Sequence, residues 1–285
     1  MANPIILLFD NGSLKPEASL KLRDLARNLS DVLSMQVEPV SLLHSCKIDP
    51  ELLNGEPATI IRRRFKKAVN NKERKILCLP LFLGPSLAIT DYLQELIQEA
   101  LALDSEMQIK VAAPLSGWDV HKPDERLVTV MKELIEECRA NAKRSFKNIV
   151  LVDHGSPIKK MAILRNGIAE KVDTLLKGEG VKATVTACSM EKREGDAFSF
   201  NDPLLETIPD YLNLEAAEDL LVAMFFLMPG RHAGEGGDVE TILSNLCQNQ
   251  RIRSFCKTDL IASHPMIMDI LVDRVRSVLP EYSKT

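Results

Sequence analysis

"IVLVDHGSP", residues 149–157, is an apolar run of strand type that stops abruptly at Asp153, His154, Gly155 and Ser156. Consecutive Ile, Val and Leu without polar alternation mark a strand buried on both faces. Such a strand delivers an imidazole to the loop at its carboxyl end. The chain opens with a near copy, "IILLFDNGS" at 5–13, in which Asn11 stands where the histidine would be, 143 residues earlier (154 − 11).

The likeness continues downstream. "ILCLPLFLGPSLAITDYLQELI" (76–97) corresponds to "LLVAMFFLMPGRHAGEGGDVETIL" (220–243), each an apolar run, a proline-containing loop and a helix pattern. "IKVAAPL" (109–115) matches "DLIASHPM" (259–266) in type. Self-similarity at half the chain length predicts two domains of one kind. Strands are expected near 5–9, 37–43, 76–82 and 109–113, and again near 148–153, 182–188, 220–227 and 258–262. Between them lie helix patterns such as "PEASLKLRDLARNLSDVL", where Leu20, Leu25, Leu29 and Val32 recur at helical spacing. Alternating buried strands and helices predict an α/β fold of two similar lobes, each a parallel four-stranded sheet flanked by helices. The basic stretch "RANAKRSFKN" (139–148) is the expected junction, dividing the chain into 1–143 and 144–285.

Composition narrows the function classes. The 285 residues are 45 % hydrophobic, enough for two packed cores. A net charge of −4 with mixed signs throughout argues against nucleic acid as the main partner. No apolar stretch approaches the roughly 18 residues that a membrane span needs. "MANPIILLFD" carries neither a basic leader nor a small-residue cleavage pattern, so a cytoplasmic location is expected. Cysteines at 46, 78, 138, 188, 247 and 256 include no C-x-x-C pair, and they read as thiols rather than as a metal or disulfide framework.

In open parallel sheets, ligands bind beyond the carboxyl ends of the strands. Three strands of the second half send polar groups there: His154 after the first, Glu191 in "ACSMEKRE" after the second, and His232 in "MPGRHAGEGGD" after the third. Two imidazoles and a carboxylate can bind a borderline divalent cation and leave positions open, or take protons near neutral pH. Each also has a structural reading. Asp153 can orient the loop, Gly155 can serve a tight turn, and Ser156 can cap the next helix. "GEGGD" has the spacing of neither a dinucleotide fingerprint nor a P-loop.

"IVLVDHGS", "CSME" and "FFLMPGRH", in this order and spacing, resemble the sirohydrochlorin chelatase family, the cobalt- or ferrochelatases of cobalamin and siroheme synthesis. The resemblance covers nearly all of 148–280; residues 1–140 match more loosely. It implies two α/β lobes with a tetrapyrrole held in the cleft between. It implies metal-binding or proton-accepting roles for His154, His232 and the carboxylate Glu191, with Glu194 close enough to leave that register open. Arg231, Ser156, Lys159, Lys160 and Arg193 fall on the edge where a tetrapyrrole's acidic side chains would meet the protein. The family's aspartate after the second histidine is displaced here by "AGEGG" to Asp238, a longer and looser loop. In the first lobe Asn11 replaces the first histidine, Ala88 or a neighbour aligns with the second, and Ser45 or His44 falls at the acidic position. His264, after the last expected strand, is a further histidine near the same edge.

The implied reaction is insertion of Co2+ or Fe2+ into sirohydrochlorin with loss of two pyrrole protons. The divalent metal is a substrate, and no organic cofactor is expected. The alternatives are a tetrapyrrole- or metal-binding protein that no longer inserts metal, and a duplicated α/β protein with structural histidines. Which metal, which tetrapyrrole and whether the chain forms a homo-oligomer are open at this level.

Overall fold

The computed structural model describes residues 3–216 and 218–282. Along the chain, β1 (Ile5–Asp10), α1 (Pro16–Leu33), β2 (Val37–Ser41), α2 (Ile61–Asn71), β3 (Lys75–Pro80), α3 (Leu93–Leu103), β4 (Gln108–Val111) and α4 (Glu125–Ala142) come first. Then follow β5 (Asn148–Asp153), α5 (Lys159–Gly178), β6 (Thr184–Ser189), α6 (Ile208–Tyr211), β7 (Asp219–Met224), α7 (Asp238–Gln248), β8 (Ser254–Lys257) and α8 (Met266–Val278). These strands form two parallel four-stranded sheets of identical order, β2-β1-β3-β4 and β6-β5-β7-β8. The α/β class and the two matching sheets agree with the sequence reading.

β1 and β5 are buried from their second residue to their last, as a strand covered on both faces must be. Alternate residues serve opposite faces. On one face of the first sheet Leu7 and Phe9 pack with Ile61, Phe65, Leu93 and Leu96; in the second, Val150 and Val152 pack with Leu205, Ile208, Val239 and Leu243. α1 turns a slightly different face inward than its leucine spacing suggests. Ala18, Ser19, Leu22, Ala26 and Leu29 are buried, whereas Val32 is exposed, because small residues let the helix approach the sheet closely.

The compact units do not part at residue 143. One runs to Trp118 and resumes at Pro265; the other is Asp119–His264. α8 therefore belongs with the first sheet, where Arg274 donates to the carbonyls of Pro114 (3.0 Å) and Leu115 (2.8 Å), and the Tyr282 hydroxyl donates to Ile76 O. α4 belongs with the second sheet and packs on α5 and β7. Each helix goes where its apolar face finds a sheet, and sequence order does not decide this. The last strand is likewise earlier than 258–262. The apolar residues there are buried in a short 3₁₀ turn, with Ile261 N bonded to Phe226 O at 2.9 Å. Apolar character at that point reports burial, not strand.

The two units share backbone bonds at the carboxyl edge. Leu42 N donates to Asp10 O (2.9 Å) and Leu43 N to Asn11 O (3.1 Å); Met190 N donates to Asp153 O (2.7 Å) and Glu191 N to His154 O (3.2 Å). Leu43, rather than Ser45 or His44, is thus the counterpart of Glu191. Gly12 and Gly155 both adopt positive φ, +93° and +94°. A Cβ on either would lie 1.8 or 2.0 Å from the carbonyl oxygen of Leu43 or Glu191, so only glycine fits.

The side chains around the paired aspartates differ. Asp153 Oδ1 accepts from Ser189 Oγ (2.8 Å), from Arg165 (3.2 Å) and from Gly155 N (3.1 Å). Arg165 is wholly buried, and at the matching position of α1 the residue is Leu22. Asp10 keeps bonds with Ser41 and the Gly12 amide, but no protein group reaches its Oδ1. Burial without a counter-charge pushes its carboxyl up from 3.8 to about 6. The folded state then holds the proton more tightly than the unfolded chain, so this group's contribution falls as pH rises between about 4 and 6. Asp10→Asn is expected to stabilise the protein by about 2–3 kcal/mol at pH 7 and by almost nothing at pH 4. Urea unfolding at the two pH values measures the difference, and an equal effect at both would refute the assignment.

Candidate functional site

In a sheet of order 2-1-3-4 the chain leaves the first strand to opposite sides, and the crevice lies beyond the carboxyl ends of the strands flanking that switch. In the second unit these strands are β5 and β7. His154 directly follows β5, and His232 lies in the loop between β7 and α7. Their rings meet with centroids 4.4 Å apart and planes inclined by 58°.

Each imidazole has a carboxylate beside it. His154 Nε2 lies 3.3 Å from Glu191 Oε1, and its Nδ1 lies 3.1 Å from Gly155 O. Of the two carboxylates that the sequence left open, Glu191 is the one against this ring. A neutral imidazole carries one N–H, so it can donate to only one of these two acceptors. The other contact becomes favourable when a further positive centre, a proton or a metal ion, joins it. His232 Nδ1 lies 2.6 Å from Asp238 Oδ2. An ionised carboxylate only accepts, so Nδ1 carries the proton and Nε2 keeps its lone pair for another partner.

The extended loop is not loose. Gly234 N bonds to Gly230 O (2.9 Å), Gly237 N to Gly234 O (3.0 Å) and Val239 N to His232 O (3.1 Å). A Cβ at Gly237 would lie within 2.9 Å of three carbonyl oxygens, those of Arg231, His232 and Gly234. The added residues fold on themselves and return Asp238, the first residue of α7, to His232. This pairing escaped the sequence reading, because linear spacing measures chain length and not where a folded loop ends.

The buried group beneath His154 was also missed. Arg165 donates to Asp153, to Ser189 Oγ and to the carbonyls of Asn201 (3.5 Å) and Phe200 (3.3 Å). Asn201 in turn bonds the Ser156 amide and carbonyl, each at 3.0 Å. Asp153 thus holds the loop rather than the imidazole. The available signal was an arginine in register with the buried stripe Ile168, Ala169, Val172 and Leu176.

The remaining expected residues fall as follows. Ser156 Oγ accepts from Ile158 N (3.2 Å), just before α5 begins. Lys159 and Lys160 are exposed on the first turn of α5. Arg231 is 81 % exposed, with Nε 3.5 Å from Asp238. Arg193 lies over the Phe198 ring at 5.9 Å. Glu194 is exposed. His264 turns to Glu133 on α4, Nε2 to Oε2 2.8 Å. The three residues expected to bind metal meet pairwise; among the described residues no set of three His, Cys, Asp or Glu side chains is spaced to hold a metal ion.

No protein-family model and no curated protein matches the chain. Solved structures do. SirB from Bacillus subtilis with Fe3+ superposes with a TM-score of 0.71 at 16 % identity, over 100 % of this chain and 98 % of that one. The sirohydrochlorin chelatase SirB from Bacillus subtilis subspecies spizizenii in complex with cobalt gives 0.68 at 16 %, with the same coverage. DR2241 from Deinococcus radiodurans, a multi-domain protein with structural similarity to chelatases, gives 0.54 at 14 %, over 96 % of this chain and 54 % of its own. The chain has the fold of these chelatase structures.

The close approach at Gly155 makes a direct prediction. Gly155→Ala should destabilise the protein by about 2 kcal/mol or more, since the new Cβ collides with backbone and the positive φ resists it. It should also separate His154 from Glu191. Denaturant unfolding and histidine NMR shifts read the two effects; wild-type values in both would contradict the described turn.

Proposed function

We propose that the chain inserts a divalent metal, Co2+ or Fe2+, into sirohydrochlorin or a closely related tetrapyrrole, acting in the cytoplasm. The observation that carries this reading is the meeting of His154 and His232 at the switch point of the second sheet, each backed by a carboxylate.

Metal insertion requires that an incoming cation shed water and that two pyrrole protons leave. Neutral imidazole nitrogens suit both tasks, because they ligate borderline divalent ions and accept protons. His232, with its proton on the Asp238 side, offers Nε2. His154 and Glu191 form an adjoining pair that a proton or the metal would complete. Two ligands and a nearby carboxylate hold a metal less tightly than a closed cage, which suits an ion that must be passed on. Lys159 and Lys160 on the first turn of α5 oppose the helix dipole, a cost that a carboxylate of the substrate would offset. Arg231, exposed beside Asp238, supplies a planar fork for another.

A second reading is a protein that binds tetrapyrrole or metal without joining them. It is favoured by the pairwise arrangement of the ligands and by Asn11 in the first unit. An absorbance assay with sirohydrochlorin and Co2+ under anaerobic conditions separates the readings. Metal-dependent spectral conversion by the wild type, reduced about 100-fold or more in His154→Ala and His232→Ala, is expected for the enzyme. Tetrapyrrole binding without conversion would establish the carrier instead. Asp238→Asn should lower kcat more than it raises KM, because it alters the basicity of His232 and not the substrate contacts.

A further inference from the structure

A cavity of about 130 Å3 opens in the first unit between α1, the end of β2 and residues 56–59. Its walls correspond, position by position, to the surroundings of Arg165 in the second unit. Leu22 lines it, and Leu22 is the counterpart of Arg165. Ser41 lines it and corresponds to Ser189: Ser41 N bonds Thr59 O and Ser189 N bonds Pro203 O, both at 3.1 Å. That register sets Glu56 and Pro57 of the wall against Phe200 and Asn201, whose carbonyls accept from Arg165. The volume that a guanidinium fills in the second unit is therefore a cavity in the first.

Two buried polar atoms adjoin it without a protein partner. Ser45, 1 % exposed, lines the cavity with an unbonded Oγ. Asp10, 9 % exposed, is bonded to Ser41 in the cavity wall and has an unbonded Oδ1. The neighbouring Arg23 does not supply the missing donor, since it is spent on the carbonyls of Leu53 (2.8 Å) and Glu56 (2.6 Å). In the second unit one guanidinium reaches the aspartate, the serine and a carbonyl together, so the same span is available to a free cation of that shape.

We propose that this cavity binds a small planar organic cation of the guanidinium or amidinium type, held by the Asp10 carboxylate and the Ser41 and Ser45 hydroxyls. One carboxylate and two hydroxyls provide too little charge for a divalent metal beside Arg23. A flat cation with several N–H donors matches acceptors already arranged around Arg165. The site is independent of the metal-insertion reading, and its test contains no tetrapyrrole.

Thermal unfolding of the full chain at constant ionic strength, with low-millimolar methylguanidinium chloride exchanged for sodium chloride, decides the matter. These concentrations lie far below the molar range in which guanidinium denatures. The wild type should gain about 2–4 °C in Tm at saturation. Asp10→Asn should lose the response, and Leu22→Arg, which carries its own guanidinium into the cavity, should lose it too. No rise in the wild type, an equal rise with potassium chloride, or an undiminished rise in Asp10→Asn would each overturn the proposal.

Discussion

A wholly buried guanidinium underlies the loop that carries His154. A charge taken out of water is tolerated only when it is paired and its donors are used, and breaking such a pair costs several kcal/mol. Arg165 meets that demand by reaching Asp153 at the end of β5, Ser189 at the end of β6 and the carbonyls of residues 200 and 201. Three segments distant in sequence are tied at one point. The exit of β5 is thereby set, Gly155 is pressed against the Glu191 carbonyl, and the imidazole of His154 rests on a rigid support.

The two units separate what makes the fold from what makes the site. Strand order, the crossing amide-to-carbonyl bonds and the positive-φ glycine occur in both. These features depend on the backbone and on apolar burial, which Ile, Leu and Val supply interchangeably. The chemistry depends on single side chains, and these differ: histidine against Asn11, Glu191 against Leu43, Arg165 against Leu22. Removing the guanidinium while keeping the aspartate leaves Asp10 with a raised pKa and a cavity at its side. An identical backbone thus holds a compensated ion pair in one unit and an uncompensated carboxylate in the other.

The imidazoles illustrate how loop geometry and electrostatics cooperate. The residues between His232 and Asp238 form a self-bonded coil whose close carbonyls exclude any side chain at Gly237. That coil makes the separation in space short although the separation in sequence is long. The result is an imidazole with a defined tautomer facing a second imidazole flanked by two acceptors. Such a pair is asymmetric, with one ring ready to ligate and the other completed by a cation.

The amino-acid order alone determined that each half is a parallel α/β unit, that the strands run near their observed places, and that histidines leave the first and third strands of the second half. Burial and turn chemistry are local and leave periodic marks such as "IVLVD" followed by "HGS". Only the tertiary structure decided that α8 joins the first sheet, that "LIA" at 260–262 is a turn, that Asp238 reaches His232, and that Arg165 lies buried beneath the site. Each of these depends on which of many apolar faces or charged groups meet across long stretches of chain. That choice is made by packing and by the pairing of buried charge, and residue periodicity does not encode it.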